Sequence, residues 1–271
     1  MIEYSEQLKK RIRQGDWQEL TVSTYDKIHE QLTVNDAENA AKLADYVVDE
    51  ARIIYEFQSQ WQRDIRSLLL EKGSSREEIA KADERNAALL KHPDGALFDP
   101  CLEWNDFLEL ILRFKGLTFS SQWAKAHACI DDALNKWTRL KGRHIDFTYS
   151  LMSLYVEQFG EEAIPEMYQR LMGPLFEFRY AKFDRNEHDW AEEIVPLLLY
   201  VGLESMRAST THGDGKKNIE LIEDDDCWRL IFDPCGSGGR VLRGDSMEGT
   251  PSRMDKPYNW KVIENAYDWT D

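Results

Sequence analysis

The sequence predicts a mainly α protein: a helical, bundle-like body with a C-terminal β-hairpin and a glycine-rich loop. Three observations predict it. Apolar residues recur every three to four positions through most of the chain up to Ala208, the spacing of helices with one face toward a core. Alternation with a period of two appears between Ile219 and Phe232. The one cluster of closely spaced glycines follows at once, in Asp233-Pro234-Cys235-Gly236-Ser237-Gly238-Gly239-Arg240.

Taken in order, the charged segment 3–14 predicts a short helix stopped by Gly15. Asp16 to Leu32 reads as helical, although Thr21, Val22, Ser23 and Thr24 weaken it. Asn35 or Asp36 caps a long helix to about Lys72, with Ala40, Leu43, Val47, Ile54, Phe57, Trp61, Ile65 and Leu68 on one stripe and a gap at the polar turn near Glu50. Gly73 ends it. Ser74 or Ser75 caps the next helix, whose first turn carries Glu77 and Glu78, and Lys91 to Gly95 is a linker. Cys101 to Lys115 predicts a helix closed by Gly116, Ser120 to Leu140 a second broken by Gly142, and Ile145 to Phe159 a third ended by Gly160. A helix from Glu161 reaches Phe183 and bends at Gly173-Pro174. Asn186 caps the last, from Glu187 to about Ala208, which Pro196 kinks. Ile219 and Leu221, then Trp228, Leu230 and Phe232, form a hairpin turned by Asp224, Asp225 and Asp226. The expected organisation is an N-terminal helical segment (1–95), a helical bundle core (96–210), and a C-terminal part (211–271) with the hairpin, the loop and an irregular tail.

Hydrophobic residues make up 42% and charged residues 31% of the 271, which excludes a disordered chain. No apolar run approaches the roughly 20 residues of a membrane span. The N-terminus lacks an apolar signal region. The expected location is the cytoplasm. Acidic residues outnumber basic ones by 50 to 34, for a net charge of −16, so a phosphate backbone is repelled and nucleic acid is not an expected partner. Of the four cysteines, Cys101, Cys129, Cys227 and Cys235, none forms a CxxC pair. Cys227 and Cys235 lie at opposite ends of a predicted strand, roughly 26 Å apart, too far for a disulfide. Reduced thiols are expected.

The glycine motif carries the chemistry. Gly236, Gly238 and Gly239 can adopt positive φ and, with Ser237, turn several N–H groups toward one point, an anion-binding nest. A thiol held there has its thiolate favoured, and Arg240 adds positive charge. The competing reading is a tight turn leaving the hairpin, with Cys235 inert.

Asp-Pro-Cys-Gly-Ser-Gly-Gly resembles the first cofactor-binding motif of adenine-specific DNA methyltransferases. That family needs a helix directly after the glycines, and Val241 to Pro251 does not read as one. Its Asn/Asp-Pro-Pro-Tyr/Phe motif is absent too, since Asp255-Lys256-Pro257-Tyr258 lacks the second proline. This reading is excluded. The arrangement from Ile145 to Arg243, a histidine after a long helix, an acidic hairpin and then Asp-Pro-Cys-Gly-Ser-Gly-Gly-Arg, resembles a poorly characterised group of bacterial helical proteins. That group is distantly similar to the L-2-amino-thiazoline-4-carboxylate hydrolase type. The resemblance implies a hydrolase-like activity and a further Cys-His-Cys cluster beyond residue 271.

His212 lies in a polar loop before the hairpin. His188 lies in the first turn of the last predicted helix, where the dipole keeps an imidazole neutral. With Cys235 they form a thiolate–base set, or the candidate ligands of a divalent metal. As capping and loop residues they have solvent partners instead. His127, beside Trp123 and Trp137, is expected as a hydrogen-bonded core residue. His29, His92 and His144 carry no argument in sequence. The expected function is therefore a small-molecule enzyme, a hydrolase or lyase. Cys235, His212 and His188 would be catalytic, and Gly236, Ser237, Gly238, Gly239 and Arg240 would bind the ligand. The alternative is a ligand-binding or sensory helical module with an aromatic-lined pocket and no catalysis. Neither reading fixes an oligomeric state.

Overall fold

Asp36 starts the helix around which the rest is built, its carboxylate accepting from the Asn39 N–H. The computed structural model describes residues 2–6, 8–89, 99–180, 186–187, 189–209, 219–225 and 227–232. Within them α1 covers Trp17–Thr21, α2 Thr24–Thr33, α3 Ala37–Glu71 and α4 Arg76–Leu89. Pro100–Phe119 forms α5, Trp123–Phe159 α6, Ile164–Tyr180 α7 and Val195–Ser209 α8. Two antiparallel hairpins complete the described fold: β1 (Ile2–Ser5) with β2 (Lys10–Arg13), and β3 (Ile219–Glu223) with β4 (Trp228–Phe232).

The mainly α body and the C-terminal hairpin are as expected, and on the α3 stripe Ala40, Leu43, Val47, Ile65 and Leu68 are buried while Ile54, Phe57 and Trp61 between them are half-buried. Four local expectations are corrected. Segment 3–14 is a hairpin rather than a helix. Its Ile12 packs against Leu20 and α8, and Arg11 makes a two-pronged contact to Asp49 on α3, so tertiary contacts override the helical propensity of its charged residues. Gly116 does not close α5, because buried Phe114 and Thr118 lie on either side of it. Gly142 does not break α6, for the same reason: Leu140 and Ile145 are both buried, and their burial outweighs the roughly 1 kcal/mol a glycine costs inside a helix. The last helix is capped by Asp189, not Asn186, and enters through a π turn (Trp190–Ile194). Pro196 lies inside this continuous helix, just after the π turn, the kind of irregularity that accompanies a proline with no N–H to give. The weak stretch at Thr21 to Thr24 is a real break, with Ser23 capping α2. Ser75 and Glu78 form a capping box at α4. The linker 91–95 lies outside the described residues.

Contacts order the long helices. Gln62 meets His144, Arg66 lies over Phe147, and Lys72 lies over Tyr155, so α3 and α6 run in the same direction. Asp106 meets Lys136 and the Leu110 carbonyl meets Cys129, so α5 runs back against α6. One apolar core joins the first halves of α3 and α6 to α2 and α5, around Phe107, Phe114 and Trp137. A second joins their later halves to α4 and α7, around Ile65, Leu69 and Leu151. A third joins α1, α8 and both hairpins.

The polar gap in the α3 stripe has a buried partner. Glu50 accepts from Arg207 Nε of α8 at 2.7 Å, and Arg207 also donates to the Leu20 carbonyl at 2.6 Å. One turn earlier Tyr46, fully buried, donates to Glu204 at 2.9 Å and shares a hydrogen bond with Tyr200 at 3.0 Å. Lys10 of β2 pairs with the same Glu204. Burial pulls the Arg207 guanidinium down, but Glu50 and Tyr46 outweigh it and the net shift is upward. This network fastens α8, and the hairpin after it, to α3.

Gly160 ends α6 at φ 81° and ψ 167°, a region essentially reserved for glycine. A Cβ there would stand 2.5 Å from the Glu162 carboxylate. Gly160→Ala is expected to cost about 1–3 kcal/mol in urea denaturation. A change below about 0.5 kcal/mol, the size of an ordinary surface substitution, would show that the turn relaxes.

Candidate functional site

Between the first and second cores the interface of α3, α5 and α6 changes character. Two mainly apolar layers are separated by a belt of polar and aromatic side chains. From α3 come Tyr55, Gln58, Trp61 and Gln62, which repeat at three- and four-residue steps on the face turned to α6. Helix α5 brings Cys101, Glu103 and Trp104. Helix α6 brings Lys136, Lys141, Arg143, His144 and Thr148.

His144 is the centre of the belt. Only 2% of it is exposed, and its ring stacks on Tyr55 at 4.9 Å between centroids. Trp104 stacks on the same Tyr55 ring at 4.7 Å and meets Trp137 edge-on. Gln62 Nε2 donates to the His144 carbonyl at 3.1 Å and to Thr148 Oγ1 at 3.2 Å, which anchors α3 to α6 here. Burial alone drives the His144 imidazole down to about 4, so it is neutral at neutral pH. Burial, then the nearby Cys101 thiol, pushes the Tyr55 phenol up to about 12.

Three polar atoms of this belt are buried with no partner among the described residues: His144 Nδ1, Trp61 Nε1 and Gln58 Oε1. Folded proteins pair nearly all such atoms, because an unpaired one costs about 1–3 kcal/mol. Charge gathers at the same level. Lys141 is 1% exposed, and buried Glu103 is bridged by Lys136 at 3.0 Å and Arg143 at 3.9 Å. A neutral imidazole, an indole N–H and an amide oxygen together can hydrogen-bond a small polar molecule, and the aromatic rings can sandwich a flat one.

Family models, curated proteins and solved structures were compared with the chain, and none matches significantly.

The residues singled out in the sequence lie elsewhere. Cys235, His212, His188, Gly236, Ser237, Gly238, Gly239 and Arg240 are all outside the described residues, so the structure neither brings them together nor separates them. What it does place is the strand before the motif. β4 ends at Phe232, paired to Ile219, and the hairpin rests on α1 through Gln18, whose amide donates to the Leu221 carbonyl at 2.9 Å. Three cysteines are described and are free: Cys101 and Cys227 exposed, Cys129 buried. Among the described residues no group of three or more His, Cys, Asp and Glu side chains is placed to hold a metal ion. No described helix is long and apolar enough to cross a membrane.

His127 is hydrogen-bonded, though only half-buried, and its partner is His29 on α2. The two Nδ1 atoms are 2.7 Å apart, and Asp131 lies 3.0 Å from His29 Nε2. The rings are within 8° of parallel with centroids 4.9 Å apart. That separation is the nitrogen distance plus the two ring radii, so the imidazoles meet edge to edge rather than face to face. Asp131 accepts the His29 Nε2 proton, which leaves His29 Nδ1 to accept from His127 Nδ1 and places the lone pair of neutral His127 on Nε2. Burial and then His29 lower the His127 imidazole.

Sequence reasoning passed over both His144 and His29. His144 sits two residues after Gly142, which in sequence reads as a helix break, and His29 meets a residue far away in the chain. No local signal marks either one.

Proposed function

We propose that the chain is a small-molecule-binding helical module whose ligand is received in the polar belt of α3, α5 and α6. The observation that carries this is the gathering of three of the four orphaned buried side-chain atoms among the described residues in one belt, the fourth being the Tyr25 hydroxyl in the first core. A protein evolved for stability alone would fill such a belt with apolar side chains. On this reading Tyr55, Trp61 and Trp104 would be the aromatic side chains that line the site. The ligand these groups suit is small and flat, with both a donor and an acceptor. A thermal-shift screen of heteroaromatic compounds tests the reading. A binder is expected to stabilise the native chain and to lose at least about tenfold in affinity in His144→Phe and in Gln58→Leu, the cost of one hydrogen bond to a buried group. Binders indifferent to both substitutions would place the ligand elsewhere.

A second reading keeps the Asp233 to Arg240 loop as a catalytic element, a hydrolase or lyase centre with Cys235, His212 and His188, with or without a divalent metal. It is favoured by the motif's position directly after β4, on a hairpin fastened to the body. On this reading Cys235 alkylates with iodoacetamide at mildly acidic pH faster than exposed Cys101 and Cys227, because the nest favours its thiolate. Mass spectrometry of the labelled peptides reports the order. Faster labelling of Cys101 or Cys227 would reduce the loop to a turn.

A further inference from the structure

Arg13, at the end of β2, is a charged side chain that the chain buries without a counter-ion. Only 4% of it is exposed. Its guanidinium donates to Thr24 Oγ1 at 3.0 Å and to the carbonyls of Glu19 and Val22 at 2.7 and 2.6 Å, all neutral acceptors. Three of its five donors are used, which leaves two. The nearby buried carboxylates are committed elsewhere, Glu50 to Arg207 and Glu204 to Lys10 and Tyr46. Half-exposed Lys10 and buried Arg207 each hold one of the two carboxylates directly, and Arg13 holds neither. A buried guanidinium with no carboxylate in direct contact is costly to a fold. Burial first, then the neighbouring Arg207, lower the Arg13 guanidinium, and Glu50 offsets this only in part.

Arg13 also forms part of the wall of a cleft of about 500 Å³ between the N-terminal hairpin, α1, α2 and α3. That is the size of a small-molecule site. Its charged wall residues are Arg13, Lys27 and Lys42 against Glu19 and Glu30, an excess of one positive charge on a chain whose net charge is −16. Lys27 holds Glu30 at 3.0 Å, and Lys42 holds Glu38, outside the cleft wall, at 2.7 Å.

We propose that this cleft is an anion-binding site, with Arg13 as its anchor and Lys42 at its rim, for a small polar molecule bearing an oxyanion. A carboxylate or phosphate group seated against the guanidinium takes up its free donors and supplies a direct counter-ion. The uncharged part of the ligand faces the amide of Gln31 on the same wall. The site is separate from the belt around His144 and stands without it.

The test is isothermal titration of the full chain with inorganic phosphate and with succinate, at an ionic strength held constant with chloride. Saturable one-site binding of at least one of them is expected. Arg13→Gln is expected to weaken it about tenfold or more, the loss of a charged hydrogen bond. Arg13 also braces the turn between α1 and α2, so two exposed substitutions read the site without risk to the fold. Lys42→Gln weakens binding severalfold, and Glu30→Gln, which removes a repelling carboxylate, strengthens it. His144→Phe leaves it unchanged. Absence of saturable binding of both oxyanions overturns the proposal. So does binding that responds to neither Lys42→Gln nor Glu30→Gln, which would be a surface anion only.

Discussion

Arg207→Ala lowers the stability of the chain by about 3–5 kcal/mol. The residue lies on α8, yet its side chain ends among groups from α3 and α1. Removing it leaves the Glu50 carboxylate buried without a cation and the Leu20 carbonyl without its donor. Either loss is costly in a low dielectric, and the first is the larger. The pair's net contribution is far smaller than this penalty, because both charges were taken out of water to form it. Glu50→Leu combined with Arg207→Met therefore restores most of the loss, to within about 1–2 kcal/mol of the native chain. Urea denaturation of the native chain, the single variant and the double variant measures both numbers. A single-variant cost below about 1 kcal/mol would mean that water reaches Glu50 and that the site is not dry.

That network also marks where the sequence stops being legible. The stripe from Ala40 to Leu68 is a local pattern, and it reports a buried helix face without knowledge of what covers it. Glu50 breaks the stripe, and taken alone it reads as a polar turn. Its burial depends on Arg207, in a helix near the other end of the chain, and no periodicity carries that information. The N-terminal hairpin was missed for a similar reason. Its pairing is held by contacts to α3 and α8 rather than by a strong strand pattern. Gly116 and Gly142 were read as stops because a glycine penalty is local, whereas the burial that overrides it is not. The C-terminal hairpin was read correctly because alternation, the aspartate turn and the cross-strand partners all lie within one short segment. The same limit applies to the sites. Cys235 drew attention through a compact motif, and its surroundings lie outside the described residues. The belt around His144 assembles from elements distant in sequence, and the cleft at Arg13 from an N-terminal hairpin that no strand pattern announces and the three helices after it, so neither leaves a motif.

The second large effect is a pH dependence that belongs to His144. Its imidazole falls from 6.5 to about 4 on folding, through burial. The sign follows from proton binding. Above pH 6.5 the ring is neutral in both the folded and the unfolded chain, and it contributes no pH dependence. Between about 6.5 and 4 the unfolded chain takes up a proton that the folded chain refuses, so stability falls as the pH falls. Below about 4 both states are protonated and the loss is complete. The span corresponds to about 3 kcal/mol. Other groups also weaken the fold on acidification. The Glu166 carboxyl is held low by Lys72, and those of Glu78 and Asp36 by hydrogen bonds at their helix starts. The quantity to measure is therefore a difference between two proteins. His144→Phe keeps a flat ring on Tyr55, removes the orphaned nitrogen and does not titrate. At pH 7.5 it is expected to be as stable as the native chain, or more so, since an unpaired buried polar atom is gone. At pH 4.5 it is expected to exceed the native chain by a further 2–3 kcal/mol or so. Urea denaturation of both proteins at the two pH values gives the difference directly. Parallel losses in the two proteins would mean that His144 is solvated in the fold, and the belt would then have no claim to be a dry, ligand-ready site.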